Sequence, residues 1–282
     1  MTRPGTDVTP PTPPLSGGKQ SPAVSFVPKL VALDVDGTLV DRDGVMRQDI
    51  REAVARILAA GVPVVISTGR GWTSTDIIVD ELQLPHGWAV TANGAMLVTY
   101  PPLKIESEVR FDPADSIAKV SKAAPEAIIG VQEGLTWRVT RPFPVGELHG
   151  EVRIETLEEL ASRPVSRIVV RDPSSSEATF NGMAQSLGLH EVAYFIGWSA
   201  WLDIAPKGID KAHGLQRVVD ELGLSAADVL ALGDGGNDIE MLEWAGRGVA
   251  MGDAAENVRA AADHVTGRFE DGGTAEELSR WF

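Results

Sequence analysis

The sequence contains no cysteine among its 282 residues. This excludes a disulfide framework and a thiol nucleophile, and nothing in the chain calls for an oxidising compartment. The sequence also lacks an apolar run long enough to cross a membrane or to form the core of a secretory signal. We therefore expect a soluble, cytoplasmic protein.

Positive charge is scarce, with 25 Lys and Arg against 40 Asp and Glu and a formal net charge of −15. This balance repels nucleic acid and anionic membranes, so we expect neither as a partner. A phosphate-bearing ligand would need a locally positive site. The length and the 43% hydrophobic content suit one large domain or two modest ones with a sizeable core.

Residues 1–28 are rich in Thr, Pro, Gly and Ser and contain few apolar residues. A segment of this composition cannot bury enough surface to fold, so we predict a disordered N-terminal tail.

The first apolar run, Leu30 to Leu33, is typical of a strand buried on both faces of a parallel sheet. It ends in Asp34 and Asp36, which project to the same side of extended backbone, and Gly37 allows the chain to turn. Open α/β sheets bind their ligands at the carboxyl ends of such strands. An Asp-Xaa-Asp-Gly sequence is also common in solvated turns, so this segment alone leaves both interpretations open.

A second strand delivers polar residues to the same edge. Helical spacing over residues 49–60 is followed by the apolar run 62–66 and then by Ser67-Thr68-Gly69-Arg70. A strand, a helix and a strand imply a right-handed parallel crossover, which places Thr68 beside Asp34. A hydroxyl, a glycine amide and a helix start suit a phosphate oxygen, although Ser-Thr before a helix is also an ordinary N-cap.

The middle of the chain follows another pattern. Over residues 96–198 the predicted strands are paired and the helices fall to one side, which indicates an α+β insert. We predict that the sheet resumes at 201–204. The expected fold class is α/β, with a doubly wound, mostly parallel, Rossmann-like core formed by residues 29–95 and 199–282 and an inserted α+β cap domain at 96–198.

A further buried strand, residues 229–232, ends in acidic residues as the first one does. The sequence that follows it is Gly-Asp234-Gly-Gly-Asn237-Asp238. Grouped carboxylates repel one another unless a cation lies among them. Two acidic strand ends that face phosphate favour Mg²⁺, with Asp34 and Asp234 as ligands. The pattern fits an aspartate that attacks phosphorus, a carboxyl group that protonates the leaving oxygen, and a lysine that offsets charge.

Four motifs occur in the order Asp-Val-Asp-Gly-Thr-Leu, Ser-Thr-Gly-Arg, a later lysine and Gly-Asp-Gly-Gly-Asn-Asp. Together they resemble the haloacid dehalogenase superfamily, specifically its Cof-like phosphatase branch (subclass IIB) with a large α/β cap. The resemblance covers residues 29–282. It implies that Asp34 is the nucleophile that becomes an aspartyl phosphate. It also implies that Asp36 is the acid and base, with its backbone carbonyl in the metal shell.

The resemblance assigns the remaining site residues as well. It implies that Thr68 holds a phosphate oxygen, helped by the backbone of Val35 and Gly69. Lys211 would bridge phosphate and nucleophile, although Lys207 is a competitor and the usual Lys-Gly of the family is Lys-Ala here. The implied phosphate ligands are Val35, Thr68, Gly69, Lys211 and Asn237, and the implied metal ligands are Asp34, Asp36, Asp234 and Asp238.

Weaker signals lie elsewhere in the chain. Asn93-Gly94 matches a turn of the family but is also a plain turn signal. Three residues of the insert, Arg138, Arg141 and His149, are candidates for substrate contact. We expect Trp198 and Trp201 to serve in packing.

We therefore predict a Mg²⁺-dependent phosphatase that hydrolyses small phosphorylated metabolites of the sugar-phosphate type and is a monomer. One alternative is a phosphomutase, which needs several basic residues to converge in the cap. A third interpretation is a non-catalytic regulator that binds a phosphometabolite, and Asp36 argues against a long-lived phosphoaspartate. The candidate basic residues for a mutase are Arg138, Arg141, Arg153, Arg163, Arg167 and Arg171.

Overall fold

The computed structural model describes residues 26–176, 180, 182, 187, 192–196 and 200–282. Most of the predicted tail, the predicted packing role of Trp198 and most of a predicted helix near 175–187 lie outside these residues. Phe26 packs edge to face on Trp281 with ring centroids 5.2 Å apart. The packed part of the chain therefore begins slightly before the predicted boundary at residue 29.

The described strands form two β-sheets, one of eight strands (the larger sheet) and one of six (the smaller sheet). In chain order the strands are β1 Leu30–Leu33, β2 Val64–Ser67, β3 Gly87–Thr91, β4 Met96–Tyr100, β5 Lys104–Glu108, β6 Ile128–Glu133, β7 Thr136–Val139, β8 Glu151–Ile154, β9 Arg167–Arg171, β10 Val192–Ile196, β11 Trp201–Pro206, β12 Val229–Gly233, β13 Arg247–Ala250 and β14 His264–Val265. The described helices are α1 Gln48–Ala59, α2 Trp72–Glu81, α3 Ala114–Ala123, α4 Leu157–Leu160, α5 Lys211–Glu221, α6 Ile239–Trp244, α7 Glu256–Ala261 and α8 Gly273–Leu278.

The larger sheet has the strand order β14-β13-β12-β1-β2-β3-β4-β5. Its strands from β14 to β3 are parallel, and β4 and β5 add to the edge antiparallel. The central strands β1 and β12 are fully buried, as their continuous apolar sequences predict. Because the chain leaves β1 in one direction and returns beside it as β12, the topological switch point lies between these strands. The predicted α/β fold class is confirmed.

The sheets divide the chain differently from the predicted boundaries. The segment 96–108 was assigned to the insert, but β4 forms a hairpin with β3 and extends the larger sheet. The segment 201–206 was expected to resume the core sheet, but β11 pairs antiparallel with β9 and β10 in the smaller sheet. We therefore propose that the insert runs from about residue 109 to residue 206.

The smaller sheet has the order β10-β11-β9-β6-β7-β8. One face packs on α3, where Ile117 and Val120 join Ile129, Val131 and Ile168 in an apolar cluster. The opposite face is directed toward the larger sheet.

Within the described residues, no helix is long and apolar enough to cross a bilayer.

A tight turn at Ala92–Gly94 joins β3 to β4 and packs against the start of α5. Gly94 has a φ of 94°, and a Cβ atom added there would overlap the backbone carbonyl of Asp210. Glycine is required twice, for its conformation and for this close approach. The turn thereby fixes Asn93 and the first residues of α5 relative to each other.

This contact predicts that Gly94→Ala destabilises the protein more than Gly44→Ala. Gly44 also has a positive φ, of 78°, but no atom lies within 4 Å of its added Cβ. We expect the Gly44 variant to lose about 1–2 kcal/mol of unfolding free energy. The overlap at Gly94 should cost roughly a further 1–3 kcal/mol. Urea unfolding measures both, and equal losses would contradict the proposed close packing.

Candidate active site

Asp34 follows β1 at the switch point of the larger sheet. Its backbone N–H donates to the carbonyl of Leu232 at 3.1 Å, which holds the end of β1 against β12. The side chain is buried and accepts a hydrogen bond from Nζ of Lys211 at 2.6 Å. The predicted nucleophile is therefore held in place by a buried cation.

Lys211 is the first residue of α5 and is fully buried. Asp210 caps the helix by accepting from the backbone N–H of His213 at 2.8 Å, so the next side chain starts at the sheet edge. Nζ of Lys211 also lies 2.6 Å from Oδ1 of Asp238. Burial opposes the charge of Lys211, but Asp238 and Asp34 raise its pKa above the ordinary value. The structure thus brings Lys211 into the site and leaves its competitor Lys207 exposed.

Asp238 anchors the turn that follows β12. Its Oδ2 accepts from the backbone N–H groups of Asp234 at 3.0 Å and Gly235 at 2.8 Å, while Oδ1 holds Lys211. A Cβ added at Gly233 would overlap the Asp238 carboxyl group, so the glycine permits this turn. Asp238 therefore positions both the lysine and the segment that carries Asp234.

The carboxylates of Asp34, Asp234 and Asp238 each place one oxygen within 4.8 Å of the others. Gly37, at φ 82°, lets the Asp234 carboxylate approach the first turn, where a Cβ would overlap it. Burial raises the pKa of Asp34 to about 7, with repulsion from Asp238 adding to the shift and Lys211 opposing it. Burial raises the pKa of Asp234 to about 9, and Asp34 and Asp238 add to the effect.

These residues fit a hard divalent cation. All three offer carboxylate oxygens, which Mg²⁺ prefers, and one lysine does not balance three grouped acids. The elevated pKa values report the cost of ionising these carboxylates together without a further cation. The acidic cluster is consistent with the predicted metal site at Asp34, Asp234 and Asp238.

The Asp36 side chain lies outside this cluster, at the mouth of the site. Its carboxylate is half exposed, and both of its oxygens accept from one edge of the Arg70 guanidinium, at 3.0 Å from Nε and 2.7 Å from Nη2. Such a bidentate pair fixes orientation as well as charge. The sequence analysis placed Arg70 in the phosphate motif but assigned it no role of its own. Its position directly after Ser-Thr-Gly was the signal that could have marked it as a site residue.

The second predicted motif lies opposite the carboxylates. Thr68 is buried, and its Oγ1 accepts from the backbone N–H of Arg70 at 3.1 Å. Asn237 donates through Nδ2 to Oδ1 of Asn93 at 2.9 Å, next to Gly69. The weak signal at Asn93 therefore marks a residue of the site. Val35, between the two acids of the first turn, has a fully buried side chain, so only its backbone is available to a ligand.

The candidate residues of the insert have different surroundings. Arg138 lies on the helix-packed face of the smaller sheet and binds Glu155 at 2.9 Å. Arg141 donates to the carbonyl of Glu126. His149 accepts through its own carbonyl from Thr73 at 2.8 Å, so its backbone rather than its ring joins the insert to α2. Trp201 donates from Nε1 to Asp203 at 3.0 Å and packs edge to face on Phe143.

Comparison with known proteins agrees with this geometry. The family described as haloacid dehalogenase-like hydrolase matches residues 31–278. Two Bacillus subtilis (strain 168) proteins, the 5-amino-6-(5-phospho-D-ribitylamino)uracil phosphatases YcsE and YitU, are 26% and 27% identical to this chain. Each alignment covers 90% of this chain, and they cover 95% and 98% of the relatives.

Solved structures agree in fold. A haloacid dehalogenase-like hydrolase from Bacteroides thetaiotaomicron superposes with a TM-score of 0.74 at 25% identity, over 90% of this chain and all of that one. The subclass IIB sugar phosphatase BT4131 superposes with a TM-score of 0.76 at 23% identity, over 90% of this chain and 98% of that one. This second likeness concerns the fold.

The chain therefore belongs to the haloacid dehalogenase-like hydrolases. The resemblance read from the four motifs is confirmed, and so is the prediction of an enzyme of the phosphatase class.

The acidic cluster predicts how stability depends on pH. The pKa values of Asp34 and Asp234 are higher in the folded protein than in the unfolded chain. Their contribution to the free energy of unfolding is therefore largest at acid pH and is lost as the pH rises. In a chelator, the melting temperature should fall between about pH 5 and pH 9. Mg²⁺ should offset much of that loss, because it binds the ionised carboxylates of the folded state.

The Asp234→Asn variant should show a flatter pH dependence and a smaller Mg²⁺ effect than the wild type, because one of the interacting acids is gone. Asp43→Asn is the matched control, since Asp43 is exposed and outside the cluster. Differential scanning calorimetry with and without Mg²⁺ measures both effects. A wild-type melting temperature that rises across this range in chelator would contradict the account.

Proposed function

We propose that this chain is a Mg²⁺-dependent phosphatase that hydrolyses small phosphorylated metabolites through an aspartyl phosphate on Asp34. The observation that carries the proposal is the Asp34 carboxylate, held 2.6 Å from the buried Lys211 and beside Asp234. The Asp34 carboxylate is fixed in position for attack on phosphorus. The Lys211 ammonium group and a cation held by the acidic cluster would offset the negative charge of the phosphate ester.

Asp34 and Asp234, supported by Asp238, would hold the Mg²⁺ ion, and the backbone carbonyl of Asp36 remains a predicted further ligand. When bound, the ion supplies positive charge opposite the oxygens of the transferring phosphoryl group. Lys211 adds a second positive charge on the same side. Thr68, the backbone at Val35 and Gly69, and Asn237 are the proposed phosphate contacts.

The reaction proceeds in two halves. In the first, an Asp34 oxygen forms a bond to phosphorus, the bond from phosphorus to the ester oxygen breaks, and Asp36 gives its proton to that oxygen. In the second, the Asp36 carboxylate takes a proton from water, the water oxygen bonds to phosphorus, and the bond to Asp34 breaks. Because both Asp36 carboxylate oxygens bind Arg70, the entering substrate must displace Asp36 from this pair before the first half.

The surroundings of the basic residues favour a phosphatase over a phosphomutase. A mutase needs several cations that converge on a second phosphate, but five of the six candidate arginines pair with other groups of the insert. Among the described residues, Arg167 is the one of the six that donates to the active-site loop. The others bind Glu155 (Arg138), the Glu126 carbonyl (Arg141), Glu151 (Arg153), Glu133 (Arg163) and Glu147 (Arg171).

The substrate class follows from the relatives by analogy. The Bacillus subtilis relatives are named for a phosphorylated ribityl compound, so we propose a phosphorylated sugar or sugar alcohol for this chain. A monomeric state and a cytoplasmic location remain predictions from composition.

The test is phosphate release from a panel of sugar phosphates, sugar-alcohol phosphates and p-nitrophenyl phosphate. We expect turnover that requires Mg²⁺ and is lost in Asp34→Asn, which keeps the shape of the side chain but removes the nucleophile. Release that is unchanged in this variant would contradict the proposed nucleophile.

Asp36→Asn separates the two halves of the reaction. With p-nitrophenyl phosphate the leaving group needs little protonation, so Asp34 should still be phosphorylated while hydrolysis of the phosphoenzyme stops. Intact-protein mass spectrometry should show one added phosphoryl group in this variant. Full turnover by Asp36→Asn would remove Asp36 as the acid and base. Asp43→Asn serves as the surface control.

A further inference from the structure

The face of the smaller sheet that is directed toward the larger sheet carries a row of polar and aromatic side chains. Gln132 on β6 lies opposite Trp137 on β7 and opposite Arg167 on β9. Directly opposed residues of antiparallel strands project to the same face. The three side chains are therefore neighbours on one surface, and each of them is almost completely buried.

This row lies directly over the Ser67-Thr68-Gly69-Arg70 loop and the residue that follows it. Arg167 donates from Nη1 to the backbone carbonyl of Gly69. A Cβ added at Gly71 would lie 3.1 Å from Nε2 of Gln132. The row thus forms a roof over the loop that carries Thr68 and Gly69, two of the proposed phosphate contacts.

Arg167 has two further neighbours. Its Nε lies 3.3 Å from Oδ1 of Asp203 on β11, and its guanidinium carbon lies 4.8 Å from the centroid of the Trp137 ring. Asp203 in turn accepts from Nε1 of Trp201 through its other oxygen. The cation is therefore oriented by an acid at one edge and by an aromatic plane at its face.

Several polar atoms around this roof are buried without a hydrogen bond. They include Nε of Arg167, Oδ1 of Asp203 and Oε1 of Gln132 in the roof, and Nδ2 of Asn93 in the floor. Nε of Arg167 and Oδ1 of Asp203 face each other as an ion pair at 3.3 Å without a hydrogen bond, whereas Oε1 of Gln132 and Nδ2 of Asn93 have no hydrogen-bond partner. An unsatisfied buried polar atom costs about 1–3 kcal/mol, so these atoms around one loop point to a polar ligand. The set contains two donors, on Arg167 and Asn93, and two acceptors, on Asp203 and Gln132.

We propose that Arg167 and Asp203, with Gln132 and Trp137, recognise a neutral, polyhydroxylated leaving group, and that they set the preference of this enzyme for sugar-alcohol or sugar phosphates. A hydroxyl group both donates and accepts, so adjacent hydroxyls satisfy the Arg167 donor and the Asp203 acceptor together. A second phosphate group is disfavoured because Asp203 offsets the charge of Arg167. The proposal rests on the proposed phosphatase function.

The alternative is a purely structural role, in which Arg167 fastens the smaller sheet to the Gly69 loop. The two roles differ in their dependence on substrate. A fastener affects every phosphate ester alike, whereas a recognition residue affects only esters whose leaving group carries hydroxyls.

The experiment compares kcat/KM for ribitol 5-phosphate and for phenyl phosphate in wild type, Arg167→Met and Asp203→Asn. With hydroxyl recognition, kcat/KM for the polyol ester should fall about 10- to 100-fold in each variant. The value for phenyl phosphate should change by less than about threefold, a difference below one tenfold step of 1.4 kcal/mol. Arg153→Met is the matched control, because Arg153 pairs with Glu151 on the exposed strand β8.

Equal losses for both esters would assign Arg167 a structural role and overturn the proposal, and so would unchanged kcat/KM for the polyol ester. If the wild type hydrolyses neither these esters nor any compound of the panel, the proposed function fails, and binding of free ribitol by calorimetry then decides the inference. Weaker ribitol binding in Arg167→Met than in Arg153→Met would support recognition. The absence of binding by the wild type, or equal binding by the two variants, would overturn it.

Discussion

A fully buried lysine ammonium group lies between two carboxylates at the switch point of the larger sheet, and the rest of the site is arranged around it. A buried charge without partners is costly, so Lys211 requires both Asp34 and Asp238 at 2.6 Å. The close approach of Gly94 to Asp210 fixes the start of α5, and the backbone donors at 234 and 235 fix Asp238. The geometry around Asp34 therefore depends on three segments far apart in sequence.

The same arrangement leaves a surplus of negative charge. One ammonium group faces three carboxylates, and burial makes their simultaneous ionisation unfavourable. A divalent cation would offset this surplus of negative charge, which is also what the transfer of an anionic phosphoryl group requires. The Asp36 carboxylate is kept apart from this charge by Arg70, which suits a separate role in proton transfer.

The central part of this organisation could be predicted from sequence because it follows local rules. Apolar runs marked β1, β2 and β12, and the polar residues that follow them had to meet at one sheet edge. The predicted residues Asp34, Thr68, Lys211 and Asp234 do lie at that edge. The pairing of β11 with β9 joins strands that are distant in sequence and carries no such local signal, so the membership of β11 in the smaller sheet was missed. The hairpin of β3 and β4 is local, and the turn signal at Asn93-Gly94 was available for it but was not used.

Three other features also escaped prediction for physical reasons. The strand β8 is only four residues long and all of them are exposed, so its short polar and apolar alternation was not recognised as a strand. Arg167 is one of several arginines in strands of the insert, and only the register of β6, β7 and β9 separates it from Arg138, which faces the helices. The pairing of Arg70 with Asp36 depends on side-chain direction, which the motif alone does not specify.

The central claim is that the carboxylate bridged by Lys211 carries the phosphoryl group during turnover. The most direct test is a rapid acid quench of the wild-type enzyme with substrate and Mg²⁺, followed by borohydride reduction of the acyl phosphate and peptide mapping. The account predicts modification at Asp34. Modification at another residue, or none while hydrolysis proceeds, would contradict it.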